Sequence, residues 1–291
     1  MRGAVLHVGF PAHSKIEKRI CFAQVDEVSE TSRSSFRAVA RKNSGGVGGR
    51  DFALFLTAIA DEGAKVQHYS GATRVCFEYN TDTADVYVRL ATSFISFDQA
   101  DFNLKTELDD VALDEGFIRR TSTTPSKSVF DRTWRDARAE WDALLGRAHI
   151  NVPTTHGVDG AMARSLTTFY TGLYRALTFP RRLDEPSPQS KGSTHHWSPY
   201  YASMRRERKL FPGVLVTDNG FWDTFRTVYP LLSLLYPDHL SWIAEGWVSS
   251  NARVSTILSF SSTVCAKIIP KIELIQRLRY ERSSKKSLQL L

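Results

Sequence analysis

The chain has 291 residues, 42% of them hydrophobic and 24% charged, a globular composition with room for one large domain or two ordinary ones. Its net charge of +7 is uneven: residues 251–291 hold eight basic and two acidic side chains, so the first 250 residues carry only +1. A nearly neutral body lacks the basic face of a nucleic-acid-binding protein, and no apolar run approaches the roughly 18 residues that a membrane span needs.

Residues 1–97 read as strands. DFALFLTAIA, TRVCFEYN and ADVYVRLATSFIS are short, rich in β-branched and aromatic residues, and bounded by turn formers. In the last of these, Val86, Val88 and Leu90 alternate with Tyr87, Arg89 and Ala91, the period of a sheet with one better-buried face. SGGVGGR at 44–50 lacks the Lys-Ser/Thr and the helix of a phosphate loop and reads as a hairpin tip.

From about residue 126 the period becomes helical. Phe130, Trp134, Ala137, Trp141 and Leu144 form one apolar stripe, and Ser128 with Asp131 has capping-box spacing. A second helix carries Met162, Leu166, Phe169, Tyr170, Leu173 and Leu177 on one face, with Asp159 as its cap and Pro180 as its stop. Residues 181–200 are Pro/Ser-rich and read as a long loop. It contains His195 and His196; adjacent histidines diverge, which disfavours a metal site. A third helix is capped by Asp218 and bears Trp222, Phe225, Tyr229 and Leu232, and Pro230 is expected to kink or split it. Residues 240–260 suggest a fourth helix, and 270–291 a solvated helix or frayed end. Strands followed by helices indicate an α+β chain; there is no βαβ alternation for a Rossmann fold and no clear 34- or 40-residue repeat.

Cys21, Cys76 and Cys265 are far apart and show no metal spacing. They read as small buried hydrophobes rather than a disulfide framework. The opening MRGAVLHVGFPAHSK has too short an apolar core for a secretory signal, so a cytoplasmic chain is expected, or a secreted or vesicular one if the natural start lies upstream.

Three segments resemble glycoside hydrolase family 92, the calcium-dependent exo-α-mannosidases. VYVRLATSFISFDQADFNLKTEL (86–108) is similar to the family's last sandwich strand, S-F-I-S…A…N-L…E. TTFYTGLYRALTFPRRLDE (167–185) resembles its F-Y-T-x-L-Y-R…P helix, and FWDTFRTVYPLLSLLYPD (221–238) its W-D-T-Y-R-T…P-L-L-L…P run. WRDARAEWDALLGRAHI, between the first two, looks like the linker helix, so the match spans roughly 86–250. The resemblance implies an incomplete β-sandwich over 1–110, a linker with a helix over 111–155, the start of an (α/α) toroid of helical hairpins over 156–250, and an unmatched basic tail over 251–291. It implies inverting hydrolysis of terminal α-mannosyl residues of N-glycans or mannans, with a calcium ion assisting. Inversion uses a carboxylic acid and a carboxylate base roughly 6.5–9.5 Å apart.

On that resemblance Trp222, Asp223 and Arg226 fall on the family's W-D-x-x-R, which lines the mannosyl subsite. An aromatic ring covers sugar C–H faces, a carboxylate accepts hydroxyl hydrogen bonds, and Arg226, three residues on, can hold Asp223 in place. Read from spacing alone, Asp223 and Arg226 are an ordinary ion pair on a core helix. The chain departs from the family at both ends: the glycine-rich opening is absent, and after Trp247-Val248-Ser249 the expected Gly-Trp-Leu-Pro run does not follow. No residue is carried over as catalytic acid, catalytic base or calcium ligand, so a fragment or mispredicted reading frame, inactive as written, is expected. Two other readings remain: a non-catalytic mannose-binding remnant, and a glycan-asparagine amidase, for which none of the cysteines has a recognisable nucleophile context. Oligomeric state is not legible.

Overall fold

The computed structural model describes residues 2–11, 17–41, 53–61, 63–69, 73–108, 111–114, 117–120, 125–151, 160–197, 209–217 and 224–253. The chain divides into two compact units, Met1–Gly146 with Glu185–Phe211, and Arg147–Asp184 with Pro212–Leu291.

The first unit is built on two antiparallel sheets. Strands β1 (Gly3–Gly9), β3 (Glu27–Ser32), β4 (Ser35–Ala40), β5 (Leu54–Ala60) and β8 (Asp85–Ser93) form one, in the order β1-β8-β5-β4-β3. Strands β2 (Lys18–Ala23), β6 (Lys65–Tyr69) and β7 (Arg74–Tyr79) form the other, in the order β2-β7-β6. Alternation turns Phe36, Ala58, Val86 and Val88 of the first sheet toward Val75 and Phe77 of the second. The rings of Phe22, Phe36 and Phe77 meet there, Phe36 and Phe77 with centroids 5.0 Å apart. This is the expected sandwich, in an α+β chain.

Strand β8 departs from the one-faced expectation. Helix α1 (Phe97–Leu108) covers its other side, where Ala91 packs with Leu104 and Leu108. Arg89 is also fully buried; it pairs with Asp61 at 3.2 Å and donates to Ser126 Oγ at 3.2 Å. Facing α1, Arg37 pairs with buried Asp101, whose other oxygen accepts from Thr57 Oγ1 at 2.6 Å.

Strands β9 (Val111–Asp114) and β10 (Phe117–Arg120) pair as a hairpin. Helix α2 (Ser126–Leu145) has its N-cap at Pro125, three residues earlier than the Ser128 of the capping-box spacing, with no side-chain cap hydrogen bond. Pro125 stands just outside the first turn, where a missing N–H costs nothing. Only Ser126 and Val129 of α2 are buried, and Trp134 is 53% exposed.

Of the expected 181–200 loop, the described residues 181–197 are not irregular. Strands β12 (Glu185–Pro186), β13 (Thr194–Trp197) and β14 (Leu210–Pro212) form a three-stranded sheet, and β11 (Arg181–Arg182) pairs with β15 (Val216–Thr217). Prolines and serines in an edge strand and tight turn do not prevent pairing.

The second unit contains helices α3 (Gly160–Leu177), α4 (Val228–Leu235) and α5 (Pro237–Arg253). The α3 stripe is partly covered: Leu173 is buried, Leu166, Tyr170 and Leu177 are half-buried, and Met162 and Phe169 are exposed. The expected fourth helix is α5, ending at Arg253. The expected split is present next to Pro230: Thr224 is helical, residues 225–227 form a turn, and the chain becomes helical again as α4. The helix starts at Val228, so Pro230 falls in its first turn, whose N–H groups have no intrahelical acceptor anyway. Gly246 allows α5 to approach β15; an added Cβ would lie 2.4 Å from Val216 Cγ2. No described helix is long and apolar enough to cross a membrane. The 44–50 glycines, Asp159, Asp218, Cys265 and the 270–291 tail lie outside the described residues.

Two expectations for cysteine fail together. Cys21 and Cys76 are joined as a disulfide across the β2–β7 ladder, and Cys21 is exposed. A sequence separation of 55 gives no hint of this, because strand pairing alone places the two positions opposite one another.

Candidate functional site

The segment that begins at Thr224 is held from its C-terminal side. Tyr229 and Leu232 of α4 are buried, as are Tyr236 and then Leu240, Ile243 and Trp247 of α5. Tyr229 meets Trp247 edge-to-face with centroids 5.1 Å apart. The apolar half of the 221–238 motif is thus a helical hairpin core that presents the turn ahead of it. Arg226 lies in that turn, exposed, with its guanidinium 4.4 Å from the Phe225 ring centroid. Trp222 and Asp223 lie outside the described residues.

An arginine and an aspartate fix the hairpin's bend. Arg147 donates from both terminal nitrogens to Asp238, at 2.7 and 2.9 Å, and to the carbonyl of Leu235 at 3.2 Å. It lies over the Tyr236 ring at 5.2 Å. Its positive charge meets the carbonyl end of α4, and Asp238 meets the N–H end of α5, so both helix dipoles favour the arrangement. The hydrogen bonds from Arg147 hold the Asp238 carboxyl well below the usual carboxylate range. Both side chains are substantially exposed, so this pair orients the bend more than it stabilises the fold.

Two neighbouring acids, Asp184 and Glu185, are buried, and sequence reasoning missed both. Asp184 accepts from Arg182 and, at 3.2 Å, from the Leu215 backbone N–H; Arg182 also stands 5.3 Å over the Trp242 ring. Glu185 belongs to the first unit's network. It accepts from Phe94 N–H and the Asn103 amide, each at 2.8 Å, and from the Ser93 hydroxyl. The Gln99 amide donates to Asn103 Oδ1 at 3.0 Å and to the Pro186 carbonyl at 2.9 Å, leaving Gln99 Oε1 to accept from His195 Nε2 at 3.0 Å. Burial pushes the Glu185 carboxyl up and the His195 imidazole down. His195 therefore works as a neutral hydrogen-bond donor within a network. The one sequence signal for these acids was their adjacency in LDEP.

A calcium site needs six to eight oxygens in a cluster. Among the described residues no three His, Cys, Asp or Glu side chains come together, so these residues do not fit a calcium cage and no step is assigned through one. A hollow of about 550 Å³ on α3, lined by Ala161, Arg164, Ser165, Thr168 and Phe169, holds none of the predicted site residues.

Comparison with known proteins gives one family. The model of the glycosyl hydrolase family 92 catalytic domain matches residues 119–264, about half of the chain. Among solved structures, the family GH92 inverting mannosidase BT2199 from Bacteroides thetaiotaomicron VPI-5482 is similar over 87% of this chain, with a TM-score of 0.65 and 26% identity. The gh92 family glycosyl hydrolase ccman5 is similar over 88%, with a TM-score of 0.56 and 20% identity. The family GH92 α-mannosidase BT3965 from Bacteroides thetaiotaomicron is similar over 85%, with a TM-score of 0.60 and 17% identity; the last two likenesses concern the fold. The chain spans 32% of the length of each of these structures. A search of curated proteins returns no match.

Proposed function

The chain belongs to glycosyl hydrolase family 92, and from that membership we propose that it forms the sandwich and first helices of an α-mannosidase that removes terminal mannosyl residues by inversion. Residues 1–110 supply the sandwich, 111–155 the linker and 156–250 the first part of the helical domain, with 251–291 standing outside the scheme. Trp222, Asp223 and Arg226 line the mannosyl subsite: the indole covers the sugar's C–H face, the carboxylate accepts from its hydroxyls, and Arg226 steadies that carboxylate. N-glycans or mannans are the substrates, and a calcium ion assists. The observation that carries this reading is the 26% identity with an inverting mannosidase over 87% of the chain, together with the family match.

None of the residues matched to the family motifs supplies the acid or the base that inversion needs. The purified chain is therefore expected to release no mannose from an α-1,2-mannobioside with or without calcium. Robust calcium-dependent release would show that the carboxylates are present after all.

Binding without turnover is favoured by one observation: the helical hairpin behind Arg226 has a packed core of its own. Calorimetric titration with mannose should then give heat that disappears in Asp223→Ala. No heat at millimolar sugar would remove the subsite assignment for this chain.

A further inference from the structure

We propose that Cys21–Cys76 is a thiol–disulfide exchange site, entered at Cys21 and closed by a disulfide of the glutathione class in an oxidising compartment. The inference is independent of the mannosidase reading.

The two cysteines stand directly opposite on β2 and β7, with Cα atoms 4.1 Å apart. Their neighbours along each strand, Ile20 and Phe22 on one and Val75 and Phe77 on the other, turn into the sandwich core. The sulfurs therefore lie on the opposite, outward face, since successive side chains alternate. The other residues of that face are mostly polar: Arg19 opposite Glu78, Gln67 of β6 opposite Cys76, and Arg74 between Ala23 and Tyr69.

Access is unequal. Cys21 is exposed, whereas Cys76 is fully buried. An incoming thiolate must reach a sulfur along the S–S axis, and of the two residues Cys21 is the one open to solvent. The attacking sulfur bonds to Cys21, the S–S bond breaks, and its electron pair leaves on Cys76 as thiolate. A second thiol then takes the first, freeing Cys21 and producing one small disulfide. Closure is the reverse: two thiols lose two protons and two electrons to one small disulfide, which becomes two thiols. Such bonds persist in secretory or extracellular settings and are kept reduced in the cytosol, so the site points away from the cytoplasmic location expected from the start of the sequence.

The test uses the full chain carrying Cys265→Ser, equilibrated natively with reduced and oxidised glutathione, then alkylated and weighed intact. Under oxidised glutathione no label is expected before reduction and two labels after it. In the further variant Cys76→Ser, one glutathione should add to Cys21, at least about tenfold faster than it adds to Cys76 in Cys21→Ser. Two free thiols in the oxidised native chain, or faster addition at Cys76, would overturn the proposal. Should the single variants fail to fold, the native Cys265→Ser chain under reduced glutathione decides: two labels support exchange, and none would overturn it.

Discussion

Arg37→Ala is expected to cost about 3–5 kcal/mol of stability at neutral pH, because it leaves the buried Asp101 carboxylate without its cation. Asp101 is 2% exposed and keeps only the Thr57 hydroxyl as a donor once Arg37 is gone. Burial already raises the Asp101 carboxyl above its ordinary range even with Arg37 present. The sign of the pH dependence follows. A carboxyl raised on folding contributes stability that is complete below its unfolded pKa and is lost as pH rises through the folded one. The variant raises that folded value further, so its deficit should be largest at neutral pH and shrink on mild acidification, as Asp101 takes up a proton in both proteins. Urea titrations followed by circular dichroism at neutral and mildly acidic pH would measure this. A cost under about 1 kcal/mol at neutral pH, or one that does not change with pH, would show that the pair is not electrostatically isolated. Replacing both partners, as Arg37→Met with Asp101→Leu, should cost less than Arg37→Ala alone, because no charge is then stranded.

The strands were legible where composition and alternation agree. LFLTAIA, RVCFEY and DVYVRLATS each became a strand of the sandwich. Helix α1 was not legible: FDQADFNLKTEL buries Gln99, Asp101 and Asn103 as well as Leu104 and Leu108, so its inner face is as polar as its outer one and no apolar stripe marks it. Arg89 misled in the same way, since a charged residue in an alternating strand reads as solvent-facing until the partner that neutralises it, Asp61, is known. The α2 and α3 stripes were read correctly as helical, yet Trp134, Met162 and Phe169 on them remain exposed, because periodicity identifies a helix without identifying what covers it. For the candidate site, the packing half of 221–238 was visible in the spacing of Tyr229 and Leu232. Arg226 was picked out by the family motif, whereas Asp184 and Glu185 depend on contacts with distant residues that no local pattern encodes.

Glu185→Gln should cost about 1–3 kcal/mol, and Glu185→Ala roughly twice that, because the network around this side chain is saturated with donors. Phe94 N–H and the Asn103 amide both point at it, and the other Asn103 amide hydrogen is already given to the Thr92 carbonyl at 3.0 Å. Asn103 cannot flip to help a glutamine, since its Oδ1 accepts from Gln99 and Gln99 is fixed in turn by the Pro186 carbonyl and His195. A glutamine therefore sets its NH₂ against a donor in either orientation and leaves one buried group unpaired. Alanine leaves two. The loss should also be local: hydrogen exchange at the Phe94 amide should accelerate in both variants, while amides in the β2–β7 ladder keep their protection. If Glu185→Gln were within about 0.5 kcal/mol of the parent, with Phe94 still protected, the carboxylate would be replaceable by a neutral amide and the network would not be saturated with donors. The polarity of the network matters because Glu185 is the first residue of the segment 185–211, which returns to the sheet unit, and its carboxylate fastens that segment to the end of β8 and to α1.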